Sequence, residues 1–179
     1  NGAASDLSGS GTTYTATIAR TADGAVTVDV SGGVATDEAG NGNAAATRFS
    51  VTNDQTAPRL ASITRQSPAT EQTDADSVTW RATFSELVRN VDAGDFQIAG
   101  TTATLSVAPV ATAGDLAAGD VPQPSLTNTF DVTASGGDLT NLNGTIVLSA
   151  LTTGGITDNA GNALASAAPT GTNDNSYSV

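Results

Sequence analysis

The 179-residue chain contains no cysteine, histidine, methionine or lysine, and its aromatic residues are one tryptophan, two tyrosines and four phenylalanines. Each absence removes a class of chemistry. Without histidine and cysteine there is no imidazole general base, no thiol nucleophile and none of the usual zinc ligands. The lack of lysine excludes Schiff-base catalysis and lysine-to-asparagine isopeptide crosslinks. Six arginines face eighteen acidic residues, for a formal net charge of −12, so the surface repels phosphate backbones and anionic membranes. No apolar run approaches the length of a membrane span. What remains is oxygen chemistry from carboxylates, amides, hydroxyls and main-chain carbonyls, which suits hard cations such as calcium. An acidic, Thr/Ser/Gly-rich chain without cysteine fits a calcium-rich location outside the cell. The opening residues Asn1-Gly2-Ala3-Ala4-Ser5 resemble neither an initiator segment nor a signal peptide, so any export signal is expected to lie outside this sequence.

An internal echo organises the rest. Asp37-Glu38-Ala39-Gly40-Asn41 returns, with one substitution, as Asp158-Asn159-Ala160-Gly161-Asn162, 121 residues later. The surroundings match too. Tyr14 to Ile18 answers Phe130 to Thr133, Asp23 to Val28 answers Asn143 to Leu148, and Arg48 to Val51 answers Ser176 to Val179. A period of domain size implies a tandem array of whole modules rather than a short-period solenoid. Nothing in the first copy answers the stretch from Thr56 to about Thr127. Residues 1–54 therefore read as the C-terminal half of a module, 55–58 as a junction, and 59–179 as a complete module. A half module cannot close its own core. Its missing strands are expected from the same parent chain or, through head-to-tail strand addition, from another polypeptide.

Short alternating runs bounded by Gly, Asn and Asp mark an all-β chain. In Ser77 to Phe84 the residues Val78, Trp80, Ala82 and Phe84 share one face, which places the single tryptophan in the core rather than on a ligand-stacking surface. Strands are predicted near 59–66, 77–85, 95–99, 102–109, 128–134, 144–150 and 175–179, seven in all, a sandwich count. The first module contributes predicted strands near 12–19, 24–30 and 47–53. Long loops are expected at 110–127 and from Asn162 to Asn173. The predicted core holds Trp80, Phe84, Phe96, Ile98, Val132, Ile146 and Leu148. In the half module, Tyr14, Ile18, Val26, Val28 and Phe49 form the apolar face.

Four pieces in order carry a family resemblance: Thr56-Ala57-Pro58 opening a module, Thr83 to Glu86 closing its second strand, Val91 to Phe96 leading into the third, and Asp158 to Asn162 before the last. Together they resemble the bacterial immunoglobulin-like repeats of giant secreted, RTX-type adhesins and cadherin-like surface proteins. The resemblance implies a seven-stranded immunoglobulin-like β-sandwich, head-to-tail stringing of modules, and calcium ions that stiffen the joints.

Topology gives a separate reason to look for a cation. In an immunoglobulin-type sandwich the loops after the second strand and before the last lie at one end, where the first strand also begins. That places Glu86, Asp92, Asp95, Asp158 and Asp54 near one another, and crowded carboxylates repel unless a cation intervenes. Glu86 follows Phe84 by two, on the inward side, where an unpaired carboxylate is costly. Local readings stand beside this one. Asp158 with Asn162, and Asp37 with Asn41, also fit Asx-turns with Gly161 or Gly40 at a left-handed position, and Asp92 fits a solvated loop acid. Asp37, Asn41 and Asn162 are secondary candidate ligands. Neither an EF-hand spacing nor a glycine-rich nonapeptide repeat occurs, so any ion site is composite.

The functional expectation is a non-catalytic spacer of a long extracellular bacterial adhesin or surface filament, with neighbouring immunoglobulin-like modules as partners. The alternative is an accessory carbohydrate-binding or other ligand-binding sandwich of a secreted protein, which would need a strip of exposed aromatics. Nucleic acid is not an expected partner, and no membrane span is expected.

Overall fold

Alternation of apolar and polar residues is realised as strand throughout the computed structural model of the chain, which describes residues 2–110, 126–151 and 155–179. Helical structure among the described residues is limited to two 3₁₀ turns, Ala93–Asp95 and Leu139–Asn141. The chain divides into two units, Asn1–Thr56 and Ala57–Val179.

The first unit consists of two antiparallel hairpins. Strand β1 (Gly2–Ser10) pairs with β2 (Thr13–Arg20), and β3 (Gly24–Val28) pairs with β4 (Phe49–Asn53). Sequence alternation did not foretell β1, because its residues are small and polar; the backbone ladder to β2 makes it a strand. Gly9 is required there, since a Cβ at its φ of +142° would lie 2.2 Å from the Thr13 carbonyl oxygen. Of the predicted apolar face, Val26 is buried and Ile18 and Val28 are half-buried, whereas Tyr14 and Phe49 are each 62% exposed. Leu7, Val30, Val34 and Val51 are exposed as well, and every exposed large apolar side chain among the described residues belongs to this unit.

The second unit contains two sheets. Strand β6 (Ser77–Arg89) is central to the larger one, which also holds β5 (Leu60–Ser67), β8 (Thr104–Pro109), β9 (Thr127–Ser135) and the two-residue β11 (Thr157–Asp158). Across it the order is β5, β6, β9, β8, with β11 pairing on β6 at Val88 and Arg89. The second sheet runs β7 (Phe96–Ala99), β10 (Thr145–Ala150), β12 (Ser176–Ser178). One apolar core joins inward residues of both sheets: Val78, Trp80, Ala82, Phe84, Phe130, Val132 and Ala134 from the first, Phe96, Ile146, Leu148 and Tyr177 from the second. The arrangement is consistent with a β-sandwich. Trp80 meets Tyr177 edge-on at 5.0 Å between ring centroids, and Phe84 meets Phe130 at 5.9 Å. Ile98, predicted as core, is half-buried at its margin.

Local departures from the predicted elements have identifiable causes. Strand β6 continues to Arg89 because a bulge between Thr83 and Val88 lets it keep pairing with β9 and then take up β11. Pairing also corrects the repeat alignment. Val26 opposes Val51 in the first unit and Ile146 opposes Tyr177 in the second, so Val51, not Phe49, occupies the position of Tyr177; a two-residue offset keeps the same face. The predicted loop 110–127 falls mostly in 111–125, outside the described residues. The long loop after Asn162 has a structural use: its backbone covers the free edge of β5, with Ala165 N donating to Pro58 O at 2.8 Å, Gly171 N to Ala61 O at 2.8 Å and Ile63 N to Thr172 O at 3.0 Å.

On the outer face, Arg81 grips Asp131 of the neighbouring strand with two hydrogen bonds of 2.8 and 3.0 Å. Inside, the Tyr177 hydroxyl lies 2.7 Å from the Pro68 carbonyl oxygen and 2.9 Å from that of Thr79, and donates to this pair. Tyr177→Phe keeps the ring against Trp80 but leaves both carbonyls without that donor. It is expected to destabilise the second unit by about 1–2 kcal/mol, read from urea unfolding followed by Trp80 fluorescence.

Candidate metal centre

Three strand and loop devices position the acidic residues. Glu86 stands in β6 two residues beyond the buried Phe84, half-buried itself. Asp158 lies in β11 directly opposite Val88 of β6 and is 1% exposed. Asp54 follows the last residue of β4, and the Thr56 amide donates to its Oδ1 at 3.1 Å. Within the second unit, one carboxylate oxygen of Glu86 lies within 4.8 Å of one of Asp158. These acidic residues could contribute to holding a metal ion. Oxygen donors of this kind select hard cations.

The loop after Asp158 is built locally. Asp158 Oδ1 accepts from the Asn162 amide at 2.8 Å, its Oδ2 accepts from Asn162 Nδ2 at 2.7 Å, and the Asp158 amide donates to the Asn162 carbonyl at 3.1 Å. Gly161 takes the left-handed conformation that closes the turn, at φ +94°. The first unit repeats this geometry: Asp37 Oδ1 accepts from the Asn41 amide at 2.8 Å, Oδ2 from Asn41 Nδ2 at 2.9 Å, and Gly40 has φ +87°. The amide side chain of Asn41 and then its main-chain amide hold the Asp37 carboxyl below the ordinary aspartate value. An ionised carboxylate has about four lone-pair sites, so the two bonds from Asn162 leave Asp158 acceptor capacity for a cation. The Asx-turn and ligand readings are compatible at this residue.

Asp92 and Asp95 are engaged locally. They form a capping box around the turn Ala93–Asp95: the Gly94 amide donates to Asp92 Oδ1 at 2.7 Å, and the Asp92 amide donates to Asp95 Oδ2 at 2.8 Å. An acidic residue three positions after a capping aspartate is a readable signal for this arrangement. Asp95 is 2% exposed. Burial raises its pKa above the ordinary aspartate value; the Asp92 amide opposes the shift, and the Asp92 charge adds to it.

Two structural acids went unnoticed in the sequence. Asp138 accepts from the Thr101 hydroxyl and from the Thr102 amide at 2.9 Å, and Asp23 accepts from the Gln55 amide at 2.6 Å and the Thr56 hydroxyl. Both lie beside a glycine in a turn, the one hint available. No family model, curated protein or solved structure matches this chain.

The Asp95 shift has a definite sign in stability. Because the folded state holds this proton more tightly than the unfolded chain, stability is fully present below the ordinary aspartate pKa and falls as pH rises through the raised folded value. In chelator, Asp95→Asn is expected to flatten this part of the pH profile. Above that window the variant should be more stable than the parent chain, as measured by urea midpoints at each pH.

Proposed function

We propose that the chain is a non-catalytic repeat segment of a long extracellular bacterial adhesin or surface filament, a spacer whose immunoglobulin-like modules are stiffened at their joints by calcium. The observation that carries this reading is the approach of the Glu86 and Asp158 carboxylates to within 4.8 Å of each other in the second unit. Asp54 precedes the module that Glu86 and Asp158 belong to. An ion shared among the three restrains the connecting segment and turns a flexible string into a stiffer rod. Calcium is favoured over magnesium because it accepts about six to eight oxygen ligands in irregular geometry, whereas magnesium demands a near-ideal octahedron and keeps several waters. Main-chain carbonyls and water complete the calcium shell in this reading, with Asn162 beside it, while Asp92 and Asp95 serve the turn before β7.

Strand order supports the immunoglobulin-like assignment. The sequence β5, β6, β9, β8 in one sheet and β7, β10, β12 in the other follows the A-B-E-D and C-F-G orders of that fold, with β11 as an addition. By the same equivalence β1 to β4 correspond to the D, E, F and G strands. Their exposed apolar side chains offer a face that A, B and C strands of the same parent chain or, by strand addition, of another chain would cover. The ligand-binding alternative has less support, because Trp80, Phe84, Phe96, Phe130 and Tyr177 are all buried and leave no aromatic strip in the second unit.

Calcium should raise the melting temperature in proportion to its binding, about 2.7 kcal/mol of stabilisation at a hundredfold excess over Kd. Calorimetric titration should show saturable binding. Glu86→Gln and Asp158→Asn should each weaken it. Asp131→Asn should lower the melting temperature through loss of the Arg81 pair while leaving the calcium-induced increment intact. Identical melting in calcium and in chelator contradicts the proposal.

A further inference from the structure

The segment that carries Asp54 is held at its start by a set of bonds that the metal group itself does not require. Asn53 ends β4 opposite Gly24, is 2% exposed, and donates through Nδ2 to the Ala22 carbonyl at 2.8 Å. The next turn of chain is fastened to the same β2–β3 corner. Asp23 Oδ1 accepts from the Gln55 amide at 2.6 Å and Oδ2 accepts from the Thr56 hydroxyl, so one carboxylate bridges two consecutive residues. Thr56 in turn donates its amide to Asp54 Oδ1 at 3.1 Å. Asp54 is thereby flanked on both sides by residues tied to Ala22 and Asp23, and one of its own oxygens is tied to a residue that Asp23 grips.

We infer that Asp23 is a positioning residue: its carboxylate clamps Gln55 and Thr56 and so presets the conformation in which Asp54 offers its carboxylate to a cation. The consequence for metal affinity rests on the calcium reading proposed above; the clamp rests on the bonds alone. A free segment of this length pays conformational entropy when an ion fixes it, and a clamp already made in the metal-free protein removes part of that cost. Removing an outer partner of a ligand in this way lowers metal affinity about tenfold or more in metal sites generally. The repeat places Asn143 where the first unit has Asp23, each followed by glycine. An asparagine offers one acceptor oxygen where an aspartate offers two, so Asp23→Asn can keep one of the two bonds.

The test uses the full 179-residue chain with calcium chloride as probe. Hydrogen exchange at the Gln55 amide in chelator reads the clamp, and calorimetric titration reads the affinity. Asp23→Ala is expected to speed Gln55 exchange and to weaken calcium binding about tenfold, with Asp23→Asn intermediate in both. Thr56→Val keeps Asp23 and side-chain shape but loses the hydroxyl donor, and should weaken binding in the same direction if Asp23→Ala disturbs the first unit. Trp80 emission and the urea midpoint of the second unit should not change in any of these variants. Unaltered Gln55 exchange in Asp23→Ala overturns the clamp. Faster exchange with unaltered affinity, in a protein where Glu86→Gln does weaken binding, overturns the positioning role and leaves the calcium site standing. No calcium binding by the parent chain overturns the metal reading and the positioning role together, with the exchange data still deciding the clamp.

Discussion

The edge-on contact of Trp80 with Tyr177 is the constraint on which the second unit depends. Trp80 comes from the middle of the larger sheet and Tyr177 from the final strand of the smaller one, so their contact closes the layer between the sheets. Strand β12 is only three residues long, and its ladder to β10 could not hold it against solvent by itself. The buried ring and the bond from its hydroxyl toward the Pro68 and Thr79 carbonyls supply what the ladder lacks. With β12 in place, the chain preceding it lies along β5 and covers that strand's open edge.

Fixing β6 in the core also determines where its far end goes. Phe84 is anchored against Phe130, and the strand runs on through the bulge to Val88, which is fully buried. Glu86 lies between these two anchors, so its side chain has little freedom of placement. The pairing of Val88 with Asp158 then brings the second carboxylate beside the first. Two carboxylates held together by apolar packing several residues away repel each other when both are ionised, and a cation between them would relieve that repulsion. That proximity, rather than the number of acidic residues, singles out this pair among the described residues, where Asp131 is paired with Arg81 and Asp92 and Asp95 serve a turn.

Much of the fold was legible because period-two alternation is a direct consequence of strand geometry: Val78, Trp80, Ala82 and Phe84 could share a face in only one way. Glu86, expected on the inward side by the same parity, is half-buried. Strand β1 was not legible, since Gly2–Ser10 has no apolar period and depends on its partner for strand structure. The bulge in β6 was equally hidden, because it answers to the partner strands and not to any residue type within it. Asp92 and Asp95 drew attention as acids near a strand start, yet their sequence spacing also encodes a capping box, and the nearer donors won. The role of Asp23 was not legible because its partners, Gln55 and Thr56, lie more than thirty positions away and carry no pattern that points back to it.

The two copies of the Asp-x-Ala-Gly-Asn loop separate what local sequence does from what tertiary structure adds. Their hydrogen bonds agree within about 0.2 Å and their glycines within a few degrees, so five residues suffice to build the loop whatever surrounds it. Their burial differs completely: Asp37 is exposed and Asp158 is not. The difference is β6, which pairs with Asp158 and has no counterpart in the described first unit. A carboxylate in water has its charge solvated and gains little from an added ion, whereas one covered by a neighbouring strand beside a second carboxylate has much to gain. The loop therefore supplies a preformed carboxylate, and the strand that covers it converts that carboxylate into a candidate ligand.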